Sequence, residues 1–524
     1  MTLPAPGSPV AVVGAGTMGA GIALVAAQSG HPVRILDVRE GAAQAAVDQL
    51  RAKLASLAER GKVDADGARS ASDRLCAAAS VADLRDVALV VEAVAEDLEV
   101  KRALFRDLEA VVGDDALLAT NTSSLSVTAV AAALQRPERV VGLHFFNPAD
   151  RMRLVEVVRG DATSEAVVDA AIELARSWGK TPVVCTSTPG FIVNRVARPY
   201  YGEAQRMVEE GVADPATIDA VLREAGGFPL GPFELTDLVG QDVNLAVSKS
   251  VWASTFHDPR YAPTVFQQRL VDAGRYGRKT GRGVFAYGPD GKPADAEPAT
   301  EPPRPAPAQA VLHHVDDDDG FCVMRPFLHR IEAGGVTIER LLLDVEDLED
   351  DDEVGIELPG GAVLREVNGS SPLDDWAAGE GGVVHLDWAH DPATCTRVVL
   401  SPSPQCPQEA VEAAVALCQA AGVAVSVVGP TPAGVVARTV SMLVNEAVEL
   451  LLRREASAED VDVAMILGTS YPSGPLQWGD RLAEAGVDVA WFVSELNDQF
   501  PIGRYRPSPG FQLASVRGVR LRDL

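Results

Sequence analysis

Residues 10–37 constrain the fold more than any other stretch. Val10-Ala11-Val12-Val13 is a short apolar run that leads straight into Gly14-Ala15-Gly16-Thr17-Met18-Gly19. An Ala-rich helical run follows to about Ser29, with Gly30 as its cap, and a second apolar run, Val33 to Leu36, ends at Asp37. Strand, glycines, helix, strand and acid in that order predict a dinucleotide-binding βαβ unit. Gly14 permits the tight turn, Gly16 lets backbone approach a pyrophosphate, and Gly19 lets helix pack on strand. The helix N-terminus, with Ala15, Thr17 and Met18 beside the glycines, offers free N–H groups to phosphate. Asp37 is placed to accept hydrogen bonds from the adenosine ribose and to repel a 2′-phosphate, which favours NAD over NADP. Arg39 reads as a solvated surface arginine.

A chain of 524 residues exceeds one core and implies about three or four domains. The net charge of −28 argues against a nucleic-acid partner, because phosphate contact needs a basic face. No apolar run approaches the ~18 residues of a membrane span. The N-terminal residues show no basic region with an apolar signal core. The six cysteines, scattered and without a CxxC pair, read as reduced core residues of a cytoplasmic protein.

Further strands are expected at 87–91, 117–120, 139–145, 154–158 and 182–185, with helices over 40–80 and 164–178. Together they make one doubly wound α/β domain over residues 1–186. The strand at 87–91 ends in Glu92-Ala93-Val94-Ala95-Glu96, and Asn121-Thr122-Ser123-Ser124 falls at the end of the strand at 117–120, where an open parallel sheet puts its ligands. The Asn-Thr-Ser-Ser cluster also suits a plain helix N-cap. His144 closes an apolar run, the turn Asn147-Pro148 follows, and Glu156 sits inside the next apolar run. Two adjacent strands can set that carboxylate beside the imidazole, giving a general base of fixed tautomer. A lone His at a strand end is otherwise structural.

From Thr188 the texture turns helical. Thr188-Pro189-Gly190-Phe191-Ile192-Val193-Asn194-Arg195 opens a long helix in which Asn194 is either a surface or cap residue or a ligand. Residues 187–288 read as a first helical domain, 289–309 as an extended Pro-rich linker, 310–429 as a degenerate α/β segment and 430–524 as a second helical domain. Strand-like runs are expected at 341–345, 383–386 and 398–400. The acidic runs at 316–319 and 349–353 read as solvated loops rather than metal sites. Thr431 to Arg438 repeats Thr188 to Arg195 at an offset of 243 residues. The same offset aligns Gly474-Pro475 with Gly231-Pro232, Asp480 with Asp237 and Gly422 with Gly179, which marks an internal duplication. Gly503-Arg504-Tyr505 echoes Gly274-Arg275-Tyr276. Asn194 becomes Ala437 in the second copy and Glu156 falls opposite Val399, so one active site per chain is expected.

With these motifs in hand, the chain resembles the NAD-dependent (S)-3-hydroxyacyl-CoA dehydrogenases, in a long bacterial form with a duplicated helical domain. The motifs are Gly14 to Gly19, Asn121 to Ser124, His144-Phe145-Phe146-Asn147-Pro148, Phe191 to Arg195 and Gly277-Arg278-Lys279-Thr280-Gly281. The resemblance implies a Rossmann-type domain followed by all-α domains like those of 6-phosphogluconate dehydrogenase. It implies oxidation of a 3-hydroxyacyl-CoA of the hydroxybutyryl or hydroxyadipyl class. His144 would be the base and Glu156 its orienting acid. Ser123 and Asn194 would hold the reacting oxygens, and Asn147 would line the acyl-CoA site. Asp37, Glu96, Lys101, Ser123 and Lys279 would contact NAD. The expected assembly is a homodimer, or a monomer whose second helical domain is a built-in pseudo-partner. In that second case, deleting residues 430–524 should expose apolar surface. The alternatives are a gulonate-like dehydrogenase of free hydroxy acids and a catalytically silent NAD-binding structural protein.

Overall fold

The computed structural model describes residues 7–294, 296–315, 320–343, 354–370 and 382–524. The chain forms two compact units, Met1–Arg195 with Arg454–Thr469, and Val196–Arg453 with Ser470–Leu524.

The first unit is built on eight strands: β1 (Val10–Val13), β2 (Val33–Leu36), β3 (Leu75–Ala77), β4 (Leu89–Glu92), β5 (Leu117–Thr120), β6 (Val140–Phe145), β7 (Leu154–Arg159) and β8 (Thr181–Thr186). Their spatial order is β3-β2-β1-β4-β5-β6-β7-β8. β1 to β6 are parallel, β7 runs antiparallel to β6, and β8 is parallel to β7. The central strands β1, β4 and β5 are aliphatic up to the Glu92 and Thr120 that close β4 and β5, because helices cover both faces and every residue is buried. β3 falls inside the stretch 40–80 expected to be helical, and corrects that expectation. It is a three-residue edge strand with one exposed residue, too short to show a period.

One helix of this unit comes from far along the chain. Ala458–Thr469, from the second helical repeat, packs on β7 and β8. A Cβ on its Gly468 would stand only 2.8 Å from Leu154 and 3.0 Å from Val193. Just before it, the Glu455 carbonyl accepts the Thr186 N–H at 2.9 Å.

The second unit holds a seven-stranded mixed sheet, from β9 (Gln309–His314), β10 (Thr337–Leu342), β11 (Gly355–Glu357) and β12 (Val363–Glu366) to β13 (Val383–Leu386), β14 (Arg397–Pro402) and β15 (Ala424–Val427). Its order is β10-β9-β11-β12-β13-β14-β15. β14 is antiparallel to β13 and parallel to β15, which repeats the pattern of β6, β7 and β8. The strand expected at 341–345 instead begins at Thr337. Its last two residues, and the acidic runs at 316–319 and 349–353, lie outside the described residues. The described part of the Pro-rich stretch forms no helix and is pinned along the second unit. Glu301 N–H donates to the Val425 carbonyl at 2.8 Å, and Ala299 N–H to Thr217 Oγ1 at 2.8 Å.

The helical repeats pack on each other inside this unit. Helix Val436–Leu452 is buried from Val436 to Leu450 and lies against helix Arg198–Glu209. The polar contacts are reciprocal. Glu203 of the first repeat accepts Arg504 Nε and the Tyr505 hydroxyl of the second, each at 2.8 Å. Glu446 of the second accepts Arg260 at 3.3 Å and the Tyr261 hydroxyl at 2.6 Å from the first. Arg504-Tyr505 therefore plays the part of Arg260-Tyr261, not of Arg275-Tyr276 as the sequence echo suggested. The register slips by one residue there, so a gapless comparison misses it.

Candidate active site

The glycine loop fits a dinucleotide. A Cβ on Gly14, whose φ is +111°, would collide with the Ala93 carbonyl, and one on Gly19 with the Gly14 carbonyl. A Cβ on Gly16 would meet nothing within 4 Å, so the backbone there faces open space. No side chain caps the helix Thr17–Gln28, which leaves its first N–H groups for phosphate. Asp37 Oδ2 accepts the Ala15 N–H at 2.8 Å and ties the acid to this loop. Arg39 is not simply solvated. Its Nε and Nη2 meet the two Asp37 oxygens at 2.9 and 3.0 Å. Those bonds hold the Asp37 carboxyl well below the usual range.

The ends of β4 and β5 form a polar floor. Glu92 is fully buried and accepts Lys101 Nζ at 2.6 Å, Thr120 Oγ1 at 2.7 Å and Val94 N–H at 2.7 Å. Glu96 accepts Thr122 Oγ1 at 2.5 Å and the N–H groups of Ser123 and Ser124 at 2.9 and 3.1 Å. Partial burial raises the Glu96 carboxyl, but Lys101 and these donors leave it below its ordinary value. Glu96 and Lys101 thus shape the loop that carries Ser123, and Lys101 itself is buried. Sequence reasoning assigned no role to Glu92. Asn121, read from the sequence only as part of a polar cluster, has a definite structural part: its Oδ1 accepts the Phe145 N–H at 2.8 Å and fixes the end of β6. A carboxylate closing a buried strand four residues before another acid was the available signal for Glu92.

The β6–β7 register sets Glu156 directly opposite His144. Opposed residues of an antiparallel pair share a face, so the side chains meet. Glu156 Oε2 accepts His144 Nδ1 at 2.6 Å, and Oε1 accepts the N–H groups of Ile192 and Val193 at 3.0 and 2.9 Å. One buried carboxylate thereby orients the imidazole and caps the helical turn Val193–Val196, which carries Asn194. Phe146 and Phe191 pack on the ring with centroids 4.5 and 5.8 Å away. Asn194 Nδ2 donates to the Ser123 carbonyl at 3.4 Å. Asn147 follows β6, exposed, with a cis bond to Pro148. Lys279 lies in the second unit, where it pairs with Asp242.

Glu455 was not legible at all. Its carboxylate pairs with Arg195 and accepts Thr188 Oγ1 at 3.2 Å. It brackets the turn whose N–H groups grip Glu156. No local pattern marks it, because its partners lie some 260 residues earlier in the chain.

Residues 9–188 match the NAD-binding domain of 3-hydroxyacyl-CoA dehydrogenases, and 190–287 and 435–514 match their C-terminal domain. This chain belongs to the 3-hydroxyacyl-CoA dehydrogenase family. Residues 370–432 also match the reduced Rossmann-fold domain of 3-hydroxybutyryl-CoA dehydrogenase, which accounts for the degenerate α/β segment. The chain is 41% identical to the 3-hydroxyadipyl-CoA dehydrogenase of Escherichia coli K12 over 95% of each chain. It is 40% identical to a probable 3-hydroxybutyryl-CoA dehydrogenase of Bacillus subtilis, over 53% of this chain and 96% of that one. A crystal structure of an E. coli K12 3-hydroxybutyryl-CoA dehydrogenase superposes with a TM-score of 0.83, 38% identity and 99% coverage of both chains. As a member of the family, the protein is an NAD-dependent oxidoreductase with a Rossmann-type domain. No helix among the described residues is long and apolar enough to cross a membrane.

Proposed function

We propose that the chain oxidises a (S)-3-hydroxyacyl-CoA at its first α/β domain, with His144 as the general base. The observation that carries this reading is the β6–β7 pairing, which commits His144 Nδ1 to Glu156. Nε2 is then the nitrogen left to take the proton of the 3-hydroxyl. NAD, when bound, supplies the hydride acceptor. The chain's own groups manage the proton and the oxygen. Glu156 stabilises the imidazolium that forms, inside a buried site where that charge would otherwise be costly. Ser123 and Asn194, brought together at their loop and helix, hold the reacting oxygens, and Asn147 lines the acyl-CoA site. Asp37 and the Gly14–Gly19 loop, with Glu96 and Lys101, make up the NAD site.

The reciprocal Glu203 and Glu446 contacts support a second element of this reading. The second helical repeat acts as an intramolecular pseudo-partner, and the working form is a monomer of 55.1 kDa. The free thiols of Cys76, Cys185, Cys395, Cys406 and Cys418 fit a reducing cytoplasm.

Assay of acetoacetyl-CoA reduction by NADH tests the catalytic reading. Turnover is expected. Turnover of a free hydroxy acid alone, or NADH binding without turnover, refutes it.

A further inference from the structure

The turn between β6 and β7 recurs in the second copy with the same hydrogen bonds. In the first, the Pro148 carbonyl accepts the N–H groups of Arg151 and Met152, each at 3.0 Å. In the second, 243 residues later, the Asp391 carbonyl accepts those of Thr394 and Cys395 at 3.1 and 2.9 Å. Each turn also gives two carbonyls to a cation. Lys180 Nζ, just before β8, donates to the carbonyls of Ala149 and Met152 at 2.6 and 2.8 Å. Arg330 Nη1, on helix Arg325–Ala333, donates to the equivalent carbonyls of Pro392 and Cys395 at 3.1 and 2.9 Å.

The two cations come from different places in the chain. The position of Lys180 holds Val423 in the second copy. The lysine was replaced there, yet the same pair of carbonyls is filled from another element. A contact rebuilt in this way is one the turn needs. Donors that carry charge make the stronger hydrogen bonds. Burial draws the Lys180 ammonium below its ordinary pKa, and Asp150 offsets part of that, so the two carbonyls stand in for much of its water.

What the turns present is different. The residue just ahead is Asn147 in the first copy and His390 in the second. His390 is taken up within its own unit, with Nδ1 3.2 Å from Arg481 Nη2 and its ring edge-on to Trp478 at 4.9 Å. Asn147 is exposed. The first turn also has a second tie, from Lys53 Nζ to Asp150 Oδ2 at 2.7 Å, where the second copy has Ala393. A turn held twice, beside a residue left exposed, is built to place that residue for a ligand.

We infer that Lys180 is a positioning residue for the acyl-CoA: through the Ala149 and Met152 carbonyls it fixes the turn 148–152, and with it the place of Asn147. This rests on the proposed function, in which Asn147 lines the acyl-CoA site. Lys180 acts through the turn and not on the reacting atoms. The pairing of His144 with Glu156 does not depend on it.

The test uses the full chain, with acetoacetyl-CoA and NADH in steady-state kinetics. Lys180→Met keeps most of the side-chain length without the charge. It should raise KM for acetoacetyl-CoA about tenfold, with kcat within about threefold and NADH affinity unchanged. Lys180→Arg should recover KM to within about threefold, because an arginine serves the equivalent turn. Arg330→Met loosens that equivalent turn and should lower Tm without moving KM. Asp150→Ala cuts the tie on the more exposed side. It should raise KM about threefold, and decides the matter where Lys180→Met does not fold. An unchanged KM in Lys180→Met, or an equal rise in Arg330→Met, overturns the inference. So does a Lys180→Met that weakens NADH and acetoacetyl-CoA alike, or, where that variant does not fold, an unchanged KM in Asp150→Ala. Asn147→Ala separates this from the reading beneath it. If Asn147→Ala raises KM and Lys180→Met does not, only the role of Lys180 falls. If Asn147→Ala leaves KM unchanged, the placing of Asn147 in the acyl-CoA site falls, and the inference with it.

Discussion

The chain makes the same strand-to-helix junction twice, and only one of the two is arranged for chemistry. In the first, Glu156 on β7 reaches the N–H groups of Ile192 and Val193. In the second, residues 243 positions later, Val435 and Val436 present the same N–H groups, but Val399 replaces Glu156 and cannot accept them. Asp387 does so instead, at 2.7 Å each, and also takes the Ala437 N–H at 3.1 Å. Asp387 occupies the position of His144. The helix N-terminus needs an anion in both copies. The second copy supplies it from the end of β13, one strand beyond the neighbour of β15, and spends both carboxylate oxygens on backbone. The first supplies it from β7, the direct neighbour of β8, which leaves the β6 position for an imidazole and one oxygen to hold it.

The turn has adjusted to match. Phe191 and Gly434 are equivalent, with φ of +51° and +66°. A Cβ on Gly434 would crowd the Asp387 carboxylate, so glycine is required there. In the first junction that space is open to Phe191, which accepts a left-handed backbone and packs its ring on His144. Both junctions hold two successive left-handed residues, one of them not glycine: Gly190-Phe191 in the first and Ala433-Gly434 in the second, so the larger side chain falls where it can meet the imidazole only in the first.

The sharpest way to break this comparison is to substitute the two equivalent residues. His144→Gln should lower kcat by at least ~10²-fold with NADH affinity nearly unchanged, measured by steady-state kinetics and fluorescence titration. Asp387→Asn puts an amide where four backbone N–H groups converge, and should destabilise the second unit by about 1–3 kcal/mol while sparing kcat. Comparable loss of activity from both variants would mean that the second junction is not merely structural. Retained turnover in His144→Gln would remove it as the base.

The helical repeats offer a second comparison with a smaller expected effect. Glu203 and Glu446 are equivalent, yet Glu203 also receives Arg438 at 2.9 Å. Burial raises its carboxyl, but Arg504 and Arg438 pull it down to about 2. A carboxyl held below its unfolded value stabilises the fold above that unfolded value, near 4.5, and loses the contribution as pH falls through about 2. Glu203→Gln should therefore cost about 3 kcal/mol at pH 7, and roughly 1 kcal/mol less at pH 3.5. Urea unfolding of both proteins at the two pH values measures this. A penalty independent of pH would show that shape, not charge, holds the repeats together at this point.

Much of this was legible in the sequence, for identifiable reasons. The glycine loop, the buried strands and the His144–Glu156 pairing are local patterns or neighbouring strands, and they lie where the residues placed them. The equivalence of His144 and Asp387 follows from the same offset of 243 residues that revealed the duplication. The contacts of Glu203, Glu446 and Glu455 did not follow. They join the two copies, and no periodicity encodes which surface of one repeat meets the other. The Arg504-Tyr505 slip of one residue hid the clearest sign of that reciprocity.

The smallest effect tests whether the cross-copy contacts matter for the chemistry. Glu455 and Glu210 hold equivalent arginines, Arg195 and Arg438. The backbone beside each is equivalent too: Thr186 N–H meets the Glu455 carbonyl, and Gly429 N–H meets the Val212 carbonyl at 2.8 Å. Only Arg195 adjoins the turn that holds Glu156 and Asn194. Glu455→Gln keeps the shape of the contact and removes its charge, so the turn should loosen without leaving its place. A loss of about tenfold in kcat is expected, the consequence of a slightly displaced reacting geometry, with KM for the acyl-CoA little changed. Glu210→Gln should leave kcat within about twofold, since its arginine serves a junction without a base. If the two variants lower kcat equally, the loss comes from general loosening of the fold. Glu455 then has no special hold on the active site.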